Sequence, residues 1–170
     1  IMMKGKTNNK FQYFIVDFGS IHLIPTLCVY MALLPMIYAL TYPGNELNNL
    51  DMLAVFLAIA AVIIQIISDQ QMFNFRKNLS EPKTMKSGLW YYSRHPNYFG
   101  EILFWFSLFV FALAANFNFA WLLIGTLIMY ALIAIASVSM MDKRSLERRP
   151  DFKEYMDTTP AIFINVFKRG

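Results

Sequence analysis

Residues 119–141, FAWLLIGTLIMYALIAIASVSMM, contain no charged side chain. A helix needs about 20 mainly apolar residues to cross the hydrocarbon core of a bilayer, so this stretch predicts a membrane span. Reading outward from it, three more runs meet the same criterion. Leu50 to Ser68 carries one acid, Asp51, at its edge. Pro96 to Ala115 holds Asn97 and Glu101 near its start. Only Asn116-Phe117-Asn118 separates it from the 119–141 span, which predicts a tight helical hairpin. Ser20 to Tyr42 contains Pro25 and Pro35, which a membrane helix tolerates where neighbours satisfy the freed carbonyls. The expected fold is all-α, a polytopic membrane bundle of four spans forming a single membrane domain over residues 1–170.

Composition points the same way. The 170 residues are 57% hydrophobic and only 15% charged, against about 25% charged in soluble domains. That scarcity excludes a water-soluble monomer and a disordered chain, and the single cysteine, Cys28, excludes a disulfide scaffold. All fifteen Lys and Arg residues fall in three segments. Lys4, Lys6 and Lys10 precede the first span. Arg76, Lys77, Lys83, Lys86 and Arg94 lie between the second and third. Lys143, Arg144, Arg148, Arg149, Lys153, Lys168 and Arg169 follow the fourth. Four spans put all three segments on one side, which the positive-inside rule makes cytoplasmic. Both termini are expected there, in a bacterial inner membrane or the endoplasmic reticulum. Asn78-Leu79-Ser80 fits the glycosylation pattern but falls on that same side.

Several chemistries lack their residues. Seven glycines give neither a dinucleotide-binding G-x-G-x-x-G nor a P-loop, and His22, His95 and Cys28 give no zinc or haem set. Asp17 and His22 read as a pair satisfying one another at the start of the first span. What remains surrounds the start of the third span. Pro96 suits the first helical position, where its missing N–H costs nothing. From there Asn97, Glu101 and Trp105 fall at i, i+4 and i+8 on one face. An acid at or just below the membrane surface marks a functional site, or else pairs with Arg94 or a tail arginine and pins the helix.

Gln65, Asp69 and Arg76 share a face if the second span continues as helix, forming either a site or a snorkelling helix end. Arg144 and Arg148, four apart, could clamp a phosphate or touch anionic headgroups. Trp90, Tyr91 and Tyr92 read as an interfacial aromatic belt. Phe152 and Tyr155 are expected to pack the tail back onto the bundle.

Residues 88–101, GLWYYSRHPNYFGE, closely resemble the signature of the steroid 5-alpha-reductase superfamily, nearest to its bacterial-type branch. Residues 148–164, RRPDFKEYMDTTPAIFI, resemble that branch's C-terminal motif. Related sequences built around R-H-P-x-Y occur in isoprenylcysteine carboxyl methyltransferases and phospholipid methyltransferases. The resemblance implies a membrane-embedded, NADPH-dependent reductase of a C=C bond in a steroid-like or isoprenoid lipid. Residues 1–49 then form the first span and its flanks, and residues 50–170 the cofactor-binding region.

The same resemblance implies that Asn97 and Glu101 orient the nicotinamide end. Asp69, Arg76 and the tail arginines Arg144 and Arg148 would hold ribose and phosphate, with Arg94, Tyr98 and Trp105 completing the site. It names no catalytic residue. Superfamily members usually have further helices upstream supplying the acid and tyrosine that polarise an enone, so this chain, starting at Ile1, reads as the rear part of such an enzyme. Asn165 stands where the superfamily usually has proline. The alternatives are a methyltransferase using S-adenosylmethionine, whose usual Glu-Glu pair is here Met141-Asp142, and a membrane scaffold. Partners are the bilayer and a hydrophobic lipid substrate; no nucleic acid is expected.

Overall fold

Asn116 ends one span and begins the next. Its backbone is extended, and its side-chain oxygen accepts from the amide of Asn118 at 2.8 Å, capping the turn. At the same end of the bundle Asn48 caps the second span, accepting from the Leu50 amide at 2.8 Å while Asp51 accepts from the Asn48 amide at 2.9 Å. The Asn48 amide group also donates to the Ala114 carbonyl at 2.9 Å, tying two spans together.

The computed structural model describes residues 10–42, 46–77, 81 and 83–164. The fold is all-helical, with no strand among the described residues. Four helices are long and apolar enough to cross a membrane: α1 (Phe14–Thr41), α2 (Asn49–Lys77), α4 (Pro96–Ala115) and α5 (Phe117–Arg148). Two short helices, α3 (Leu89–Tyr92) and α6 (Phe152–Thr158), lie with the connecting loop and the tail. Lys4, Lys6, the Asn78-Leu79-Ser80 triplet, Asn165, Lys168 and Arg169 lie outside the described residues.

Pro96 to Ala115 is helical over the expected bounds, but the other spans run longer. The 29 residues of α2 measure roughly 43 Å at 1.5 Å per residue. That exceeds a hydrocarbon core of about 30 Å, so Asp69 to Lys77 project beyond it. α1 contains a widened π turn at Phe18–Leu23 just before Pro25, whose missing N–H cannot serve the regular ladder. A second π segment, Leu132–Val138, interrupts α5.

Small residues let the backbones approach, the common solution where lipid offers no hydrophobic driving force between helices. Ala54, Ala61 and Ser68, one heptad apart, are the buried residues of α2. They face α4, where a Cβ at Gly100 would come within 2.9 Å of the Ala61 carbonyl and 2.8 Å of the Gln65 side chain. Gln65 is therefore a packing residue of this contact. α1 and α5 meet as closely, since a Cβ on Gly125 would lie 2.3 Å from the Met31 carbonyl. α4 is central and buried along much of its length, whereas α1 and α2 present most of their apolar surface outward.

Asp17 and His22 do not form the expected pair: no ion pair joins them, and His22 instead lies against the Phe18 ring at 5.9 Å.

Candidate functional site

The loop after α2 and the tail after α5 close over one end of the bundle, and the tail docks through the 84–95 segment. Gly88 makes the turn into α3 with a φ of 62°, a conformation that favours glycine. The next amide, Leu89, donates to Gln71 of α2 at 3.0 Å. Trp90 then turns inward, and its indole N–H donates to the Ser68 carbonyl at 3.0 Å. It is buried, so the belt expected of Trp90, Tyr91 and Tyr92 does not include it. Tyr155 of α6 donates its hydroxyl to the Trp90 carbonyl and, at 3.1 Å, to that of Ser93. Ser93 donates to Ile162 at 2.8 Å. Phe152 and Tyr155 are both buried, packing the tail onto the bundle as expected.

Arg94 is the centre of this cap. One terminal nitrogen donates to the Met156 and Thr159 carbonyls, both at 2.8 Å, and the other to Asp142 at 2.8 Å. The second Asp142 oxygen takes the His95 Nε2 proton at 2.8 Å; a carboxylate can only accept, so Nε2 is protonated. Arg94 and Asp142 are the nearly buried ion pair of the molecule's described part. The alternative pairing of Glu101 with Arg94 is thereby overturned, and no Lys or Arg among the described residues reaches ion-pair distance of Glu101. Thr84 completes the cap, donating its hydroxyl to Asp151 at 2.8 Å and its amide at 3.2 Å. Burial opposes ionisation of Asp151, but those two bonds and the nearby Lys86 outweigh it and hold the carboxyl below its usual range. Burial pushes the Tyr155 phenol well above its ordinary value.

Beneath the cap lies a cavity of about 760 Å³, within the range of roughly 300–1,000 Å³ that small-molecule sites occupy. α2 contributes Asp69, Met72, Phe73, Arg76 and Lys77 to its wall. The loop and the start of α4 add Thr84, Met85, Trp90, Arg94, His95, Asn97 and Tyr98. α5 and the tail add Met141, Ser145, Arg149, Phe152 and Tyr155. Five of the residues singled out in sequence, Asp69, Arg76, Arg94, Asn97 and Tyr98, thus share one cavity. Glu101 and Trp105 continue the Asn97 face of α4 below it without lining it. The Tyr98 ring stacks on His95 with centroids 5.5 Å apart.

Two features describe what the cavity can hold. Among the described residues three buried polar atoms have no hydrogen-bond partner: Arg94 Nε and Asn97 Oδ1, on residues that line the cavity, and Trp105 Nε1 below it. The Glu101 carboxylate, one turn before Trp105, is close enough to interact with the indole without completing a regular bond. Buried polar groups are nearly always satisfied, and exceptions call for an explanation. The second feature is like charge. Arg76 and Arg149 both line the cavity, and neither has a carboxylate within ion-pair distance among the described residues. Burial, and then the charge of Arg76, push Arg149 below its ordinary value. An anion between the two guanidiniums would relieve that repulsion.

The clamp expected from Arg144 and Arg148 does not face this cavity; both are exposed on the outer side of α5. Arg149 takes the inward position because it precedes Pro150. Proline disfavours helical backbone in the residue before it, and Arg149 is extended, at φ −133° and ψ 109°. The Arg-Pro dipeptide was the available signal for this residue. Asp142 and Ser145 had no such mark.

A family model described as a protein of unknown function, DUF1295, matches residues 3–159. The chain belongs to the DUF1295 family. This family is steroid 5-alpha-reductase-like. An uncharacterised protein of the fission yeast Schizosaccharomyces pombe is 26% identical over 182 residues, covering 91% of this chain and 51% of its own length. The chain therefore spans about half the length of that curated relative. No solved structure matches the chain.

Proposed function

We propose that this DUF1295 chain is the cofactor-binding part of an NADPH-dependent reductase acting on a C=C bond of a steroid-like or isoprenoid lipid. The observation that carries the reading is the cavity wall, which Arg76 and Arg149 share with the unpartnered Asn97 oxygen, neither guanidinium having a carboxylate at ion-pair distance among the described residues. Two guanidiniums outside any ion pair among the described residues suit a ligand with several phosphates. They repel the sulfonium of S-adenosylmethionine, and the one tail acid comparable to the methyltransferase pair, Asp142, is already bound by Arg94 and His95.

In this reading Arg76, Lys77 and Arg149 bind the phosphates, and Asp69 accepts from a ribose hydroxyl. Asn97 offers its side-chain oxygen to a carboxamide N–H. Trp90, Met72 and Phe152 give the site an apolar wall that limits water. Glu101 lies one turn deeper on the same face as Asn97. The bound dinucleotide supplies the hydride, while the protein fixes its position and charge environment. Every Lys and Arg of the described loop and tail lies at the cap end, which supports a cytoplasmic cap supplied with soluble cofactor. A second cavity of about 400 Å³, lined by Phe99, Ile102, Leu103, Phe106 and Leu127 among others, opens on the opposite face of α4 and fits contact with lipid.

Isothermal titration of the detergent-purified chain with NADPH tests the proposal. Saturable binding is expected, weakened at least tenfold by Arg149→Ala or Arg76→Ala. Binding of S-adenosylmethionine without NADPH would transfer the chain to the methyltransferases. Binding of neither would leave a scaffold.

A further inference from the structure

The arginines turned away from the cavity have their own setting. Arg144 and Arg148 stand one turn apart on the last two turns of α5, with Lys143 beside them, all three exposed. None has an ion-pair partner within reach among the described residues; Glu147, the acid on that side of the helix, is not close enough to pair. Met140, half exposed at 50%, precedes them on the same side and continues the apolar surface of the span. Asp142 and Ser145 occupy the opposite, inward face. The outer face thus passes from apolar to cationic at the end of the span, the pattern expected where a helix leaves the hydrocarbon layer.

We propose that Arg144 and Arg148, assisted by Lys143, form a binding site for the headgroup of an anionic phospholipid at the end of α5. Arginine forks match phosphate oxygens in a bidentate fashion, and two of them at i, i+4 can grip one phosphodiester from adjacent turns. A zwitterionic headgroup carries its own ammonium, which the same cations repel, so the site selects net negative lipid. This stands independently of what the cavity binds. It also separates the tail arginines by task, since Arg149 faces a cavity ligand and Arg144 and Arg148 face the membrane surface.

The test is electron spin resonance of the chain reconstituted in phosphatidylcholine, with a trace of spin-labelled phosphatidylglycerol or spin-labelled phosphatidylcholine. The motionally restricted fraction reports which lipid the protein holds. The wild type should prefer phosphatidylglycerol about fivefold at low salt, and the preference should fall as added salt shortens the screening length. Arg144→Gln/Arg148→Gln should abolish most of it. Arg144→Lys/Arg148→Lys should retain part, showing a folded chain with the charge kept and the fork lost. Lys153→Gln, on the tail helix, should change nothing. Equal restriction of the two lipids in the wild type would overturn the proposal, as would an undiminished preference in the glutamine variant.

Discussion

Trp90, Ser93, Arg94 and His95 reach Ser68, Ile162, Met156, Thr159 and Asp142 through hydrogen bonds, whereas one to three turns further on Asn97 Oδ1 and Trp105 Nε1 are buried with no partner. The two stretches are neighbours in one run of polar and aromatic residues, yet their polar atoms are in opposite conditions. The first stretch is scaffold: it fixes the tail over the bundle. The second is not: Asn97 lines the space the scaffold encloses, and Trp105 continues the same face below it. The difference teaches that a motif residue can be indispensable to a site by holding its roof, without touching what lies inside. Arg94 belongs to both, with its two terminal nitrogens in the roof and its Nε unpaired.

The largest effect expected from this contrast is on stability. Asp142→Ala removes the partner of a nearly buried arginine and of His95, and should cost about 3–5 kcal/mol. The thermal midpoint in detergent reads this loss. A shift worth under about 1 kcal/mol would show that the cap is held some other way. Gly125→Val provides a comparison far from the motif. Its Cβ meets the Met31 backbone, and overpacking of this kind should cost about 1–3 kcal/mol. Unlike Asp142→Ala, it should loosen α1 from α5 and leave the cap in place, which limited proteolysis of the tail would show.

The cap should also respond to pH at both extremes. The Asp151 carboxyl is held below its unfolded value, so its contribution is full above about pH 4 and is lost as pH falls through the folded value. Thr84→Ala removes the hydroxyl bond but keeps the amide bond and Lys86, and should reduce this acid sensitivity. Tyr155 has a raised value, so its contribution is full below about pH 10 and declines as pH rises further. Tyrosinate absorbance should show it ionising only as the tail releases, and Tyr155→Phe should abolish that late component. The smallest stability effect belongs to the open stretch: Asn97→Ala should stay within about 0.5 kcal/mol of wild type. The same change should weaken NADPH binding by about tenfold, the worth of one hydrogen bond. A large loss of stability would move Asn97 into the scaffold and erase the contrast.

The span pattern was fully legible, because a bilayer demands long apolar runs and the charges between them fall in blocks. Pro96 and Ala115 mark helix ends that chemistry enforces, a proline without an N–H and an asparagine cap. The α2 extension past Ser68 was less plain, since Asp69 to Lys77 are polar and only their seven-residue spacing hints at continued helix. Of the cavity wall, Asp69, Arg76 and Asn97 stand out through helical periodicity, and Tyr98 only through the family resemblance.

Periodicity does not say which face turns inward. It joined Arg144 with Arg148, which do share a face, but not the face turned inward. The inward arginine is the one that leaves the helix. Trp90 reads from its type as a residue at home at an interface, whereas the Ser68 carbonyl that accepts its indole N–H belongs to another helix and leaves no local mark. The pairing of Asp142 with Arg94 and His95 is unmarked for the same reason: its partners are 48 and 47 residues away in the chain.

We propose that Arg76 and Arg149, neither in an ion pair among the described residues, and the unpartnered Asn97 amide receive a polyanionic dinucleotide in this cavity. The most direct measurement of this is the thermal midpoint of the purified chain with and without NADPH. A ligand at about 100 times its dissociation constant stabilises the state that binds it by roughly 2.7 kcal/mol. The wild-type midpoint should rise accordingly, and that of Arg76→Ala/Arg149→Ala should not move. A midpoint indifferent to NADPH in the wild type, or an equal rise in both proteins, would contradict it.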